Sequence, residues 1–214
     1  MKDRLLFSVI AKDQKELDES FRQMKDHIDA FQLDIMDGKC VENTSLDFDF
    51  DIPESDGVLE AHLMVQYPLR WLDKLPDRVS IIIFHVECSE DTEYVIDRIR
   101  SRGKKAGIAI CPSTHLNTIE PYLSKVDLVL IMTVKPGRYG SKFIEETLSK
   151  VKTLRSKHPD LIIEVDGGID PETLRLAKQA GANRFISGSY LKKSDDKAKA
   201  VQALQRIIRG DTHN

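Results

Sequence analysis

Phe31-Gln32-Leu33-Asp34-Ile35-Met36-Asp37-Gly38 alternates apolar side chains with an amide, a carboxylate and a thioether. Successive side chains of a β-strand point to opposite faces, so Gln32, Asp34 and Met36 share one face. A carboxylate buried within such a run is costly unless it is bonded or used, which makes the face a candidate site. Two further apolar runs end in the same way, Ala61-His62-Leu63-Met64 and Glu164-Val165-Asp166-Gly167-Gly168. The pattern predicts a polar site assembled at several strand ends.

Working outward, short runs rich in Val, Ile and Phe alternate with charged amphipathic stretches, the signature of βα units and a parallel sheet. Eight strands are predicted: Leu5–Ile10, Ala30–Met36, Val58–Met64, Val79–Val86, Lys105–Ile110, Leu128–Val134, Leu161–Val165 and Arg184–Ser187. Helices are predicted over Asp13–Asp26, Asp91–Ser101, Ser141–Lys157, Pro171–Ala180 and Asp195–Arg209. Phe143, Leu148, Val151 and Leu154 fall at helical spacing, as do Ala198, Val201, Leu204 and Ile208. Asp170-Pro171 has the form of an N-cap followed by a first-turn proline, and Gly181 sits where a helix stops. The acidic connection from Gly38 to Gly57 is poorly periodic and reads as a loop carrying a weak helix.

Eight strands with crossovers in about 200 residues is the smallest size at which a (β/α)8 TIM barrel closes. A doubly wound open sheet needs fewer strands and a glycine-rich first turn, and Phe7-Ser8-Val9-Ile10-Ala11 contains no glycine. The expectation is an α/β fold, one single-domain (β/α)8 barrel over residues 1–214, in keeping with the length.

The chain is 41% hydrophobic and 31% charged with a formal net charge of -3, so a core is affordable and no basic excess points to nucleic acid. The apolar run Leu5–Ala11 is too short for a secretory core, and no segment reaches the roughly 18 apolar residues of a membrane span. A cytoplasmic protein without membrane partners is expected. Cys40, Cys88 and Cys111 are odd in number and widely spaced, which indicates neither a disulfide framework nor a cysteine-based zinc site.

In a barrel the site lies at the carboxyl ends of the strands. Ser8, Asp34, His62, His85, Met132, Asp166 and the pair Gly188-Ser189 all fall there or just beyond. Singly, each has a structural reading: a hydroxyl bonded to backbone, a satisfied core histidine, a turn-forming aspartate. Their common position at the same end of different strands points to a site. Gly167-Gly168 and Ser187-Gly188-Ser189 leave backbone N–H groups open near helix starts, which suits a phosphate.

The chain resembles the ribulose-phosphate 3-epimerase family nearly end to end. The matching stretches include Ser8-Val9-Ile10, Asp34-Ile35-Met36-Asp37-Gly38, Asn43, His62-Leu63-Met64-Val65, His85-Val86-Glu87 and Gly103-Lys104-Lys105-Ala106-Gly107. They continue through Met132-Thr133-Val134, Pro136-Gly137, Lys142-Phe143, Glu164-Val165-Asp166-Gly167-Gly168-Ile169, Ala180-Gly181-Ala182-Asn183 and Ser187-Gly188-Ser189. The resemblance implies a ribulose-phosphate-binding barrel that epimerises a ketose phosphate at carbon 3. Asp34 and Asp166 match the two acids, one removing the proton to form an enediolate and the other returning a proton to the opposite face.

The family's divalent metal, a Lewis acid on the two oxygens, implies a cofactor such as Zn, Mn, Fe or Mg. Asp34, His62 and Asp166 match three of its ligands, whereas Gln32 stands where the family carries histidine. A glutamine oxygen is a neutral donor suited to harder ions such as manganese or magnesium, so weakened binding or a changed preference is expected. The alternative is a site without metal, in which Gln32 hydrogen-bonds an enediolate oxygen directly. Met36, Met64 and Met132 match an apolar wall around the reacting carbons, although single core methionines look the same.

The substrate-binding residues implied are Ser8, His62, Gly137, Arg138, Tyr139, Gly140, Gly167, Gly168, Gly188 and Ser189. After the sixth strand relatives carry Gly-Phe-Gly-Gly-Gln, where this chain reads Gly137-Arg138-Tyr139-Gly140-Ser141. Arg138 or Lys135 either pairs with the phosphate or is solvated surface charge. Cys111 and Glu42 replace residues that are often Asn and Pro in relatives. The favoured reaction interconverts D-ribulose 5-phosphate and D-xylulose 5-phosphate. The alternatives are an epimerase for a hexulose or tetrulose phosphate and a catalytically silent sugar-phosphate-binding paralogue. Family barrels usually associate, so a homo-oligomer is expected.

Overall fold

The computed structural model describes residues 3–55, 57–137 and 140–211. Its strands are β1 (Arg4–Val9), β2 (Ala30–Asp37), β3 (Thr44–Ser45), β4 (Val58–Met64), β5 (Ile81–His85), β6 (Lys105–Ile110), β7 (Leu128–Met132), β8 (Ile162–Asp166) and β9 (Arg184–Ser187). Eight run parallel in the order β1-β9-β8-β7-β6-β5-β4-β2, and pairing of β1 with β2 closes the ring. The two-residue β3 pairs antiparallel with the end of β2 and stands outside the ring. The helices are α1 (Gln14–Met24), α2 (Thr92–Arg100), α3 (Leu148–Lys157), α4 (Pro171–Ala180), α5 (Ser189–Lys193) and α6 (Lys197–Arg209). The expected (β/α)8 barrel is the fold.

Strand alternation divides the apolar residues into two layers. Phe31, Leu33 and Ile35 of β2 point outward and join the large core that also takes Leu17 and Phe21 of α1 and Leu204 of α6. Leu6, Ala30, Ile83, Ala109, Leu130 and Ile186 point inward and form a separate cluster that fills the barrel. Gly107 of β6 makes that filling possible. A Cβ there would meet Leu128 Cδ1 at 2.7 Å and Ile83 Cγ1 at 2.8 Å.

Local chemistry sets several boundaries as expected. Asp170 caps α4 in a reciprocal box with Thr173, Pro171 occupies its first turn, and Gly181 ends it with φ 108°. Two expectations need correction. The segment from Gly38 to Gly57 carries β3 and, among its described residues, no helix. Here Leu46 N–H donates to Ala11 O and Ala11 N–H to Ser45 Oγ, tying the loop to the end of β1.

The helix expected from Ser141 begins only at Leu148, after a 3₁₀ turn at Glu145–Thr147. Ile144 N–H reaches Thr133 O at 2.7 Å, so the preceding residues are held against the strand end and Phe143 is no part of the helix. The connections from β4 to β5 and from β6 to β7 contain only 3₁₀ turns, at Pro68–Arg70, Leu116–Thr118 and Glu120–Tyr122. Trp71, Leu72 and Ile119 cover the barrel there instead. Among the described residues no helix is long and apolar enough to cross a membrane.

Candidate active site

Parallel register brings the inward polar residues together. Ser8 is level with Gln32, Gln32 with Glu60, Asp34 with His62 and Met36 with Met64. Asp166 ends β8 beside Met132 and Ile186. Residues from six strands therefore meet at the carboxyl-end mouth of the barrel.

Their hydrogen bonds form one network. Ser8 Oγ donates to Asp34 Oδ2 at 2.5 Å. Gln32 Nε2 donates to Asp34 Oδ1 and to Asp166 Oδ2, both at 2.8 Å, and stands 3.4 Å from His62 Nδ1. His62 Nδ1 is 3.2 Å from Asp34 Oδ1 and 3.3 Å from Asp166 Oδ2. Below it, His62 Nε2 meets His85 Nε2 at 2.9 Å, and His85 Nδ1 meets Glu87 Oε2 at 3.1 Å.

The electrostatics follow from this packing. Burial lowers the proton affinity of His62, but its hydrogen bonds to Asp166 and Asp34 outweigh that and raise its pKa to about 10. Asp166 is raised, first by burial and then by the Asp34 carboxylate, against the hydrogen bonds from His62 and Gln32. The Asp34 charge beside it therefore favours a proton on Asp166.

A cavity opens above this network. Ser8, Asp34, Met36, Met64, Met132, Gly137, Gly140, Asp166, Gly167, Gly168, Gly188 and Ser189 line it. His62 and Gln32 are fully buried beneath and reach the cavity only through the aspartates. Lys135 is exposed and outside the lining. Arg138 and Tyr139 lie outside the described residues. Gly167 adopts φ 115°, and a Cβ there would collide with the Val134 side chain, so the β8 turn can pass this close only as glycine.

Asp34, His62 and Asp166 form a group of side chains that could hold a metal ion. Ligands of a tetrahedral ion with bonds of about 2.0–2.2 Å stand about 3.3–3.6 Å apart. Here Gln32 Nε2 and His62 Nδ1 stand 2.8 to 3.4 Å from each other and from the two aspartate oxygens. An outward shift of a few tenths of an ångström admits such an ion. Gln32 Oε1 is buried with no hydrogen-bond partner among the described residues. A half-turn of the amide would present that oxygen to a cation and end its isolation, so the donor set fits.

Sequence reasoning passed over a second polar layer inside the barrel. Arg184 Nη2 lies 3.0 Å from Glu60 Oε2, and Nη1 lies 2.7 Å from Glu164 Oε1. Among the described residues none of these carboxylate oxygens has an aligned hydrogen bond with a donor, and Arg184 pairs with both side chains. Burial raises Glu60 well above its ordinary value and Glu164 to about 7, because one guanidinium cannot neutralise both. The signal was available: Glu60 precedes His62 by two residues, Glu164 precedes Asp166 by two, and strand alternation places each pair on one face.

The sequence profile described as the ribulose-phosphate 3 epimerase family matches residues 4–192. Ribulose-phosphate 3-epimerase of Schizosaccharomyces pombe is 34% identical over 194 residues, covering 87% of this chain and 85% of that protein. The Mycobacterium leprae ribulose-phosphate 3-epimerase is 36% identical over 186 residues, 83% of each chain. Among solved structures, 3-hexulose-6-phosphate synthase from Salmonella typhimurium superposes with a TM-score of 0.68 at 14% identity, over 97% of this chain and 99% of that one. That likeness speaks for the fold alone.

Proposed function

Because the chain belongs to the ribulose-phosphate 3-epimerase family, we propose that it is an isomerase that epimerises D-ribulose 5-phosphate and D-xylulose 5-phosphate at carbon 3. The observation that carries this reading is that Asp34 and Asp166, from strands β2 and β8, open onto one cavity and are joined beneath it through Gln32 and His62.

A proton beside a ketone is too weakly acidic for a carboxylate unless the charge developing on oxygen is neutralised. A divalent cation held by Asp34, Asp166, His62 and the turned Gln32 Oε1 would supply that neutralisation as a Lewis acid, with manganese or magnesium favoured by the neutral amide. Ser8 orients the Asp34 carboxylate through Oδ2. Asp166, whose raised proton affinity keeps it a ready donor, delivers the proton to the other face, and the roles exchange in reverse. Met36, Met64 and Met132 supply an apolar wall that limits competing water. Gly167, Gly168, Gly188 and Ser189 also line the cavity, and backbone N–H groups of such residues suit the phosphate.

The test is a set of incubations in deuterated water with ribulose 5-phosphate, a hexulose 6-phosphate and a tetrulose phosphate, each with added Mn²⁺ or Mg²⁺. Deuterium at carbon 3 together with appearance of xylulose 5-phosphate is the expected result. Exchange only into the hexulose or tetrulose would reassign the substrate. No exchange into any of them would overturn the assignment in favour of a silent sugar-phosphate binder.

A further inference from the structure

Beneath the carboxylate pair runs a hydrogen-bonded line whose direction is set by its far end. Glu87 follows β5 with its side chain 29% exposed. Its Oε1 accepts from Cys111 N–H at 2.8 Å and from the Thr114 hydroxyl. The loop carrying those donors is pinned by Lys150 Nζ of α3, which donates to the carbonyls of Cys111, Pro112 and Thr114 at 3.1, 2.8 and 2.6 Å. Glu87 Oε2 is left facing His85 Nδ1 at 3.1 Å.

An ionised carboxylate only accepts, so the 3.1 Å contact requires a proton on His85 Nδ1. A neutral His85 then presents a lone pair at Nε2, and the 2.9 Å contact with His62 requires the proton to sit on His62 Nε2. His62 Nδ1 is thereby left as the atom that faces Asp34 and Asp166.

We propose that Glu87 is a positioning residue that acts through His85 to hold His62 protonated at Nε2, with Nδ1 directed at the carboxylate pair. The assignment rests on the reading of Asp34 and Asp166 as the reacting acids. Glu87 is held at about 2: burial opposes, and the hydrogen bonds from His85, Thr114 and Cys111 prevail, so the acceptor stays ionised. His85 is buried, and as a neutral ring it donates at Nδ1 and accepts at Nε2, which satisfies both contacts.

One arrangement competes. His85, Glu87 and Cys111 also form a group that could hold a metal, with Cys111 Sγ 3.6 Å from His85 Nδ1. Binding there would take the Nδ1 lone pair, move the His85 proton to Nε2, and reverse the bond to His62. A neutral His62 would then carry its proton on Nδ1 and could not offer that atom to a cation. The two arrangements exclude one another.

Long-range ¹H–¹⁵N correlation of the histidine rings in the full-length, metal-free protein reads the tautomers directly. His85 is expected as the Nδ1–H form, and Glu87→Ala is expected to return it to the Nε2–H form common in water. Zn²⁺ titration of Glu87→Ala should show affinity weakened about 10–100-fold, the usual effect of losing a partner behind a metal-bound histidine. Glu87→Asp should recover part of it. A wild-type His85 in the Nε2–H form, or a Glu87→Ala variant with unchanged tautomers and zinc affinity, would overturn the proposal. So would Co²⁺ giving a sulfur charge-transfer band abolished by Cys111→Ser, since the ion would then sit at His85, Glu87 and Cys111. Because the tautomers are read without turnover, an inactive protein with the expected tautomers would fail the epimerase reading alone.

Discussion

The side-chain nitrogen of Gln32 stands 2.8 Å from Oδ2 of Asp166, a bond between residues 134 positions apart in the chain. The same nitrogen holds Asp34, so a neutral amide links both acids where the family carries an imidazole. The amide can turn either end toward them, and which end it presents decides whether the pair is held by hydrogen bonds or by a cation.

Replacing Gln32 with His restores a stronger neutral donor for borderline metals. Gln32→His is expected to raise Zn²⁺ affinity about tenfold or more. Competition with a chromogenic chelator measures it. Unchanged affinity would mean that the Gln32 position takes no part in metal binding.

On the proposed two-base reading, Asp34→Asn and Asp166→Asn each remove a proton carrier while keeping shape. Turnover should fall about a hundredfold to ten-thousandfold or more in either. Protection of the fold by inorganic phosphate in a thermal melt should survive. Near-normal activity in either variant would refute the two-base assignment.

Gly167→Ala places a methyl group against Val134 at a backbone angle that L residues rarely adopt. The strained conformation alone costs about 1–3 kcal/mol. Urea denaturation should report a loss of at least that size. The apparent KM for the sugar phosphate should rise because the turn lines the cavity.

Arg184→Met leaves Glu60 and Glu164 buried without a counter-charge. Breaking a buried pair in this way costs about 3–5 kcal/mol. The loss should be larger at pH 8 than at pH 5, where the carboxyls take up protons. A variant as stable as the parent at pH 8 would show that the ion pairs do not support the barrel.

The pH dependence of the parent has a definite sign. Glu164 is raised to about 7 in the fold, so its contribution is fully present below its ordinary value of 4.5 and is lost as pH rises through about 7. His62 is raised to about 10, so its contribution is present below 6.5 and is lost as pH rises through about 10. Stability should therefore decline from pH 5 to 7.5, and Glu164→Gln should flatten that decline.

Much of the architecture was legible because its causes are local. Alternation along Phe31–Met36 assigns inward and outward faces without knowledge of any neighbour, and Asp170-Pro171 with Gly181 writes the ends of α4 into adjacent residues. The strand-end position of Ser8, Asp34, His62 and Asp166 followed from the same rule. Where local pattern misled, a distant bond had intervened. Phe143 has helical spacing from Leu148, yet Ile144 N–H is taken by Thr133, so the helix starts late.

By itself, the sequence determined which residues belong to strands, which faces they share, and which acids stand at the strand ends. Only the tertiary structure decided that Gln32 bonds both aspartates, that His62 rests on His85 and Glu87, and that Arg184 divides its charge between Glu60 and Glu164. Side-chain periodicity is a property of a single strand. These partners come from different strands of a closed ring, and their distances exist only once β1 has paired with β2.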